Sequence, residues 1–388
     1  MRIAQVAPLA ERVPPVRYGG TERVVYALTE ELVRRGHDVT LFASGDSLTS
    51  ARLASMSPRG RRLDGASDGL FYEIAMLEEV YAQANRFDLI HAHVDGLAFP
   101  FARQSDIPTV HTMHGRLDLP AQLRMLSRFP EQRLVSISRS QRLPSLHFPL
   151  NWIGTVHNGV RLQHFTLQES PSDLPYLVFL GRISPEKGPV EAIQIARRAG
   201  MPLKIAAKID QVDKGWAEEK VIPLFDLPGI EYIGEVDERE KAELLAGAAA
   251  LLFPIDWPEP FGMTMIESMA SGTPVIARRR GSVEEILVDG VTGFICETDD
   301  EMVQAVGRLS EIDRAQCRRH VEMHFSAEKM TSGYEVIYER MLSEWTLPAT
   351  DQVIAELFGE TKIAESRTLA AIEQPQRIGS SQTQSYPS

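Results

Sequence analysis

Between residues 248 and 276 a buried strand, an acid framed by prolines and a helix follow one another, and few folds accept that order. Ala248-Ala249-Ala250-Leu251-Leu252-Phe253-Pro254-Ile255 is apolar without alternation, as a parallel strand covered on both faces should be. Pro258 and Pro260 hold Glu259 extended and exclude it from a helix. The spacing predicts a helix beginning near Phe261-Gly262, with Met263, Ile266, Met269 and Ala270 on its buried side and Gly272 ending it. Glu259 then lies in the turn leading into the helix and Glu267 on its first two turns, with seven residues between them.

Open α/β sheets bind ligands at the carboxyl ends of their strands. A helix N-terminus there offers unpaired N–H groups and about half a unit of positive charge, which suits phosphate. The two carboxylates suit hydroxyl groups on either side of that phosphate. A nucleoside diphosphate sugar has this order of groups. Taken alone, Glu259 and Glu267 are equally read as ordinary acids near a helix start, so the rest of the chain decides.

The 388 residues are 43% hydrophobic and 24% charged, an ordinary globular composition whose length favours two domains. No segment has the unbroken apolar length of a membrane span, and Met1-Arg2-Ile3 leads straight into a strand rather than a signal peptide. The expected location is the cytoplasm, with peripheral contact at the inner face of the membrane left open. Cys296 and Cys317 lack disulfide-scaffold or metal-ligand spacing and read as small buried residues. A net charge of −12 argues against non-specific nucleic-acid binding.

Ile3–Ala7, a helix with Val24, Val25, Leu28, Leu32 and Val33 on one face, and Val39–Ala43 form a first βαβ unit. Gly19-Gly20 precedes that helix, where absent side chains let backbone N–H groups approach an anion; a plain turn requirement explains them equally well. G-x-G-x-x-G is absent there, which counts against a nicotinamide or flavin enzyme. His91, His93, His111 and His114 fall at or near the ends of two expected strands. Their spacing could chelate zinc, but no cysteine or paired acid completes a site, and no metal is expected. His114 beside Gly115 is the candidate for an imidazole facing the cleft, with His91 and His93 read as structural. Arginines from Arg116 to Arg142 read as a solvated helix face or as a docking surface for an anionic acceptor or headgroups.

The polar stretch 168–174 reads as a linker. After it, Tyr176–Leu180 is a buried strand, followed by Gly181-Arg182 and the turn Ser184-Pro185-Glu186-Lys187-Gly188. Arg182 offers forked donors and Lys187 a point charge, a pair suited to phosphate. The expected division is 1–168, 169–330, a helix over 331–347 crossing back to the first domain, and a disordered tail over 348–388.

With these motifs placed, the chain resembles glycosyltransferase family four, retaining enzymes with two facing Rossmann-like domains and an interdomain cleft, the GT-B architecture. The resemblance covers residues 1 to about 345. It rests on Gly19-Gly20, Asp88–His93, His111-Thr112-Met113-His114, His157-Asn158-Gly159-Val160, Gly181-Arg182 with Lys187-Gly188, and Glu259 with Glu267. It implies that Arg182 and Lys187 hold the donor diphosphate, Glu267 the ribose and Glu259 the transferred sugar. Phe261, Gly262, Met263 and Thr264 would present the helix end, Gly20 a backbone N–H, and His114 the active-site imidazole. Gly19 and His111 group with the substrate-binding residues. No Asp-x-Asp occurs, in keeping with the metal-independent behaviour the resemblance implies, and no cofactor is expected beyond the nucleotide-sugar co-substrate.

The implied function is retaining transfer of a hexosyl group from a UDP-sugar to a glycan, lipid or small-molecule acceptor. An epimerase, or a phosphorylase with a lysine-bound pyridoxal cofactor, and a non-catalytic nucleotide-sugar-binding protein are the competing readings.

Overall fold

Strands that are apolar throughout need cover on both faces, and helices between successive strands supply it. The protein, seen here as a computed structural model describing residues 1–61 and 69–345, repeats this pattern along its length. One sheet is built from β1 (Arg2–Val6), β2 (Asp38–Phe42), β3 (Arg52–Ala54), β4 (Leu89–Ala92), β5 (Thr109–Met113), β6 (Arg133–Ser136) and β7 (Trp152–Thr155). Its strand order is β3-β2-β1-β4-β5-β6-β7, and every pair is parallel. The second sheet holds β8 (Leu177–Arg182), β9 (Leu203–Lys208), β10 (Ile230–Gly234), β11 (Ala250–Phe253), β12 (Val275–Arg278) and β13 (Gly293–Cys296). Its order is β10-β9-β8-β11-β12-β13, again parallel throughout.

Both orders reverse direction once, between β1 and β4 in the first sheet and between β8 and β11 in the second. Such a switch point opens a crevice at the strand ends because the two neighbouring connections run to opposite faces. This is the two-sheet α/β architecture expected above. Residues Met1–Tyr338 form one compact unit. Tyr334 and Tyr338, on the helix Ala327–Trp345, hydrogen-bond Thr112 at 2.9 Å and His91 Nδ1 at 2.6 Å in the first sheet. The expected tail over 348–388 lies outside the described residues. Among the described residues no helix is long and apolar enough to cross a membrane.

Three local expectations change. β3 has only three residues at the sheet edge and no alternation, so no pattern announced it. The helix expected from Phe261-Gly262 begins at Met263, because Gly262 (φ 80°, ψ 64°) takes the left-handed region and so stands outside it as the cap. Met263 is partly buried and packs against the core, while the fully buried side is formed by Met265, Ile266, Met269 and Ala270. Cys296 and Cys317 are both buried, and burial pushes each thiol up to about 12.

Candidate active site

The ends of β8 and β11 carry the charged residues. Arg182 closes β8, and the short turn Pro185–Lys187 follows it. The Arg182 guanidinium bonds the Glu186 carboxylate and lies 3.5 Å from Asp213 and 3.7 Å from Asp210. Lys187 Nζ donates to Glu259 Oε2 and sits 4.5 Å above the Trp257 ring. Glu259 is 8% exposed, and its backbone is pinned on both sides. Its N–H donates to the Trp257 carbonyl at 2.8 Å, and its own carbonyl accepts from Ser282 N–H at 3.0 Å. Gly281 (φ 57°) permits this contact, since a Cβ there would fall 2.3 Å from the Glu259 nitrogen. Ser282 Oγ also donates to the Phe261 carbonyl at 2.8 Å.

The helix Met263–Ala270 then begins without a side-chain cap; the Met265 N–H is taken by the Gly262 carbonyl at 3.0 Å, which leaves the N–H groups at the very start of the helix to face a ligand. Glu267, one turn on, is 4% exposed and paired to Lys241 of the helix Glu238–Gly247.

The first-sheet side combines glycine backbone and neutral rings with charged residues such as Arg17, Asp95 and Arg116. Gly19 (φ 146°) caps the helix Gly20–Arg34, which also lacks a side-chain cap. A Cβ placed on Gly20 would meet no heavy atom within 4 Å, so packing within the protein does not demand glycine there. His114 Nε2 lies 2.9 Å from His93 Nδ1, and His93 Nε2 lies 2.9 Å from Gln5 Oε1. Gln5 Nε2 in turn donates to Tyr338 at 3.2 Å. With the Gln5 oxygen accepting, the His93 proton belongs on Nε2, so His114 Nε2–H donates to His93 Nδ1. Desolvation pushes His114 down to about 3 and holds His93 and His91 well below the usual imidazole range, so all three rings are neutral at pH 7. His91 is held at its other nitrogen by Thr112 Oγ1 at 2.7 Å. His91 and His93 therefore have both ring nitrogens engaged within the protein.

These two sides face one cavity of about 710 Å³. Arg182, Lys187, Glu259, His114, Gly19, Gly20, Glu267, Phe261, Gly262, Met263 and Thr264 all line it. His111 does not: it is wholly buried, bonds Gln132 Oε1 at 3.0 Å, and packs edge-on against Phe99, with its pKa pushed by burial to about 4.

Among the cavity residues that escaped the sequence reading, Lys241, Asp95 and Trp257 stand out. Lys241 sits among Ala242, Leu244 and Leu245 on the buried stripe of its helix, and a cation on an apolar face was the available signal. Asp95, just past β4, is the non-glycine residue at positive φ (48°) among the described residues, and sequence gives no sign of that. Trp257 lies beneath Lys187 and, at 5.5 Å, Arg116; its place before Pro258 was the only hint.

A family model described as glycosyl transferases group 1 matches residues 163–322, and one described as Glycosyltransferase Family 4 matches residues 18–164. Glycogen synthase of Mycobacterium tuberculosis is 26% identical over 373 residues, covering 83% of this chain and 89% of that relative. The phosphatidyl-myo-inositol mannosyltransferase of Mycolicibacterium smegmatis is 26% identical over 349 residues, covering 82% and 86%. HepE of Anabaena, solved in complex with UDP and glucose, has a TM-score of 0.67 at 16% identity and covers 88% of this chain and 100% of its own. The two matched regions join at residues 163–164 and together hold both sides of the cavity. On this ground the chain belongs to glycosyltransferase family four and is a glycosyltransferase of the GT-B fold.

Proposed function

We propose that the enzyme moves a hexosyl group, with retention, from a nucleoside diphosphate sugar, UDP-linked, to a hydroxyl of a glycan, lipid or small-molecule acceptor. The observation that carries this is the common cavity of Arg182, Lys187, Glu259, Glu267 and the uncapped N-terminus of the helix Met263–Ala270. The bound UDP and UDP-glucose of HepE support the same donor class.

Breaking the anomeric carbon–oxygen bond builds negative charge on the leaving diphosphate and an oxocarbenium-like sugar. Arg182, Lys187 and the helix end stabilise the first, because they are fixed before the charge develops. Lys187 is held between Glu259 and the Trp257 face, so its ammonium is already oriented. Glu259 binds the transferred sugar, and Glu267 binds the ribose. His114, neutral and held by His93, offers a hydrogen bond to sugar or acceptor without adding charge. The acceptor proton passes to the leaving phosphate on the same face. Phosphate charge is met by protein cations, and the reaction proceeds without a divalent metal or other cofactor.

The test is nucleotide release from a panel of UDP-, ADP- and GDP-sugars with an acceptor screen, by wild type and Glu267→Ala, with and without a chelator. Release with a UDP-sugar, an α-anomeric product from an α-linked donor, and loss in Glu267→Ala are expected. An inverted product sinks the retaining assignment, and chelator sensitivity sinks metal independence.

A further inference from the structure

Buried carboxylates lose charge unless a partner holds it. Glu267 is 4% exposed and Lys241 is 6% exposed, and Lys241 Nζ donates to Glu267 Oε1. Both line the cavity, from different helices. Around them, Arg23 Nη1 lies 3.2 Å from Glu238, and His164 Nδ1 lies 3.1 Å from the same Glu238 oxygen. Burial works against the charge of Glu238, but the His164 hydrogen bond and the Arg23 charge outweigh it and hold that carboxyl at about 2. Glu238 thus has two partners of its own, and the direct claim of Lys241 is on Glu267.

We infer that Lys241 is a positioning residue for nucleoside recognition. It commits one carboxylate oxygen of Glu267 and so fixes the side chain, leaving the other oxygen to meet the ribose hydroxyls as an acceptor already in place. Hydrogen bonds weaken steeply once donor and acceptor are misaligned, so the loss of Lys241 is felt through the ribose. A buried pair kept only for stability has no such consequence, since apolar residues of similar volume commonly replace such pairs at little cost. This inference rests on the proposed assignment of Glu267 to the ribose.

The test uses the whole chain and titrates UDP and ADP by calorimetry, taking the tighter nucleotide and its 2′,3′-dideoxy counterpart as probes. Wild type should prefer the ribonucleotide by about 10- to 100-fold, the size of one or two hydrogen bonds to a charged group. Lys241→Met should reduce that preference to less than about threefold while leaving dideoxynucleotide affinity within about threefold, the loss being confined to those same hydrogen bonds. Lys241→Arg should recover part of the preference. Where Lys241→Met melts below the assay temperature, Lys241→Gln is read in its place. A retained preference, or equal weakening of both probes, overturns the inference and leaves the donor assignment standing. Binding of neither nucleotide to wild type, or no ribose preference in wild type, overturns the donor assignment and this inference with it.

Discussion

The two sides of the cavity solve different electrostatic problems. On the second-sheet side, every key charge is met by an opposite one: Arg182 by Glu186, Lys187 by Glu259, Lys241 by Glu267. The first-sheet side carries charges too, but it adds glycine backbone and neutral imidazoles, the latter joined in a hydrogen-bonded chain from His114 through His93 and Gln5 to Tyr338 and His91. A diphosphate needs fixed cations, and cations near one another need carboxylates to keep them in place before the ligand arrives. A sugar or acceptor hydroxyl needs hydrogen bonds, and neutral rings provide them without repelling the cations opposite. The division teaches that cations fixed by carboxylates and uncharged hydrogen-bonding rings can serve different parts of one cavity.

Acid should separate the two walls most strongly. His91, His93, His111 and His114 are held below their unfolded value near 6.5 by burial, with His111 at about 4 and His114 at about 3. The unfolded chain therefore binds more protons between about pH 6.5 and pH 4, and stability falls as pH falls through that window, by up to about 1.4 kcal/mol per pH unit for each such histidine. Glu73 opposes this, because burial raises its carboxyl to about 7 and the folded state keeps its proton. Burial raises Asp95 and Asp213 in the same sense, and the four histidines are expected to outweigh these carboxyls. Denaturant midpoints measured from pH 7.5 to pH 4 should drop steeply below pH 6.5, and a flat profile would break the picture of neutral imidazoles.

Removing a cation from the charged wall should act on rate rather than stability. Arg182→Ala and Lys187→Ala should each lower kcat for nucleotide release by about a hundred- to a thousandfold, or about 2.7–4 kcal/mol. Loss below tenfold in both would mean that the diphosphate lies elsewhere. A side chain in the free space at Gly20 should lower activity by about 10- to 100-fold, corresponding to about 1–3 kcal/mol of steric cost to the bound ligand. Because a Cβ there touches nothing, the melting temperature of Gly20→Leu should hold or rise. Equal loss of activity and stability would show that Gly20 serves packing instead. The smallest effect on activity is expected from Tyr338→Phe, which leaves His91 Nδ1 and Gln5 Nε2 without that hydroxyl. It should cost about 1–3 kcal/mol of stability, measured by denaturation, with little change in donor affinity.

Much of the charged wall was legible. Its residues sit at the carboxyl ends of apolar strands, bracketed by prolines and glycines that fix the chain locally, so Arg182, Lys187, Glu259 and Glu267 could be named from order and spacing. The first-sheet wall was less so. His111 lies within β5 and His114 just past its end, and sequence grouped both with the site. Only His114 reaches the cavity, because β5 is covered on both faces and His111 points among Phe99 and Gln132. Asp95 and Lys241 were missed for a related reason: the first depends on a backbone angle, the second on which helix packs against Glu267.

The order of elements, the apolar runs that demand parallel sheets, and the local turns that place each charge were settled by the amino-acid sequence, since all depend on neighbours a few residues apart. Which carboxylate meets which cation, which histidines lose their protons, and which ring faces the cavity were decided by the tertiary structure. Those outcomes depend on burial and on partners as much as 333 residues away, as between Gln5 and Tyr338, and no local pattern encodes such distances.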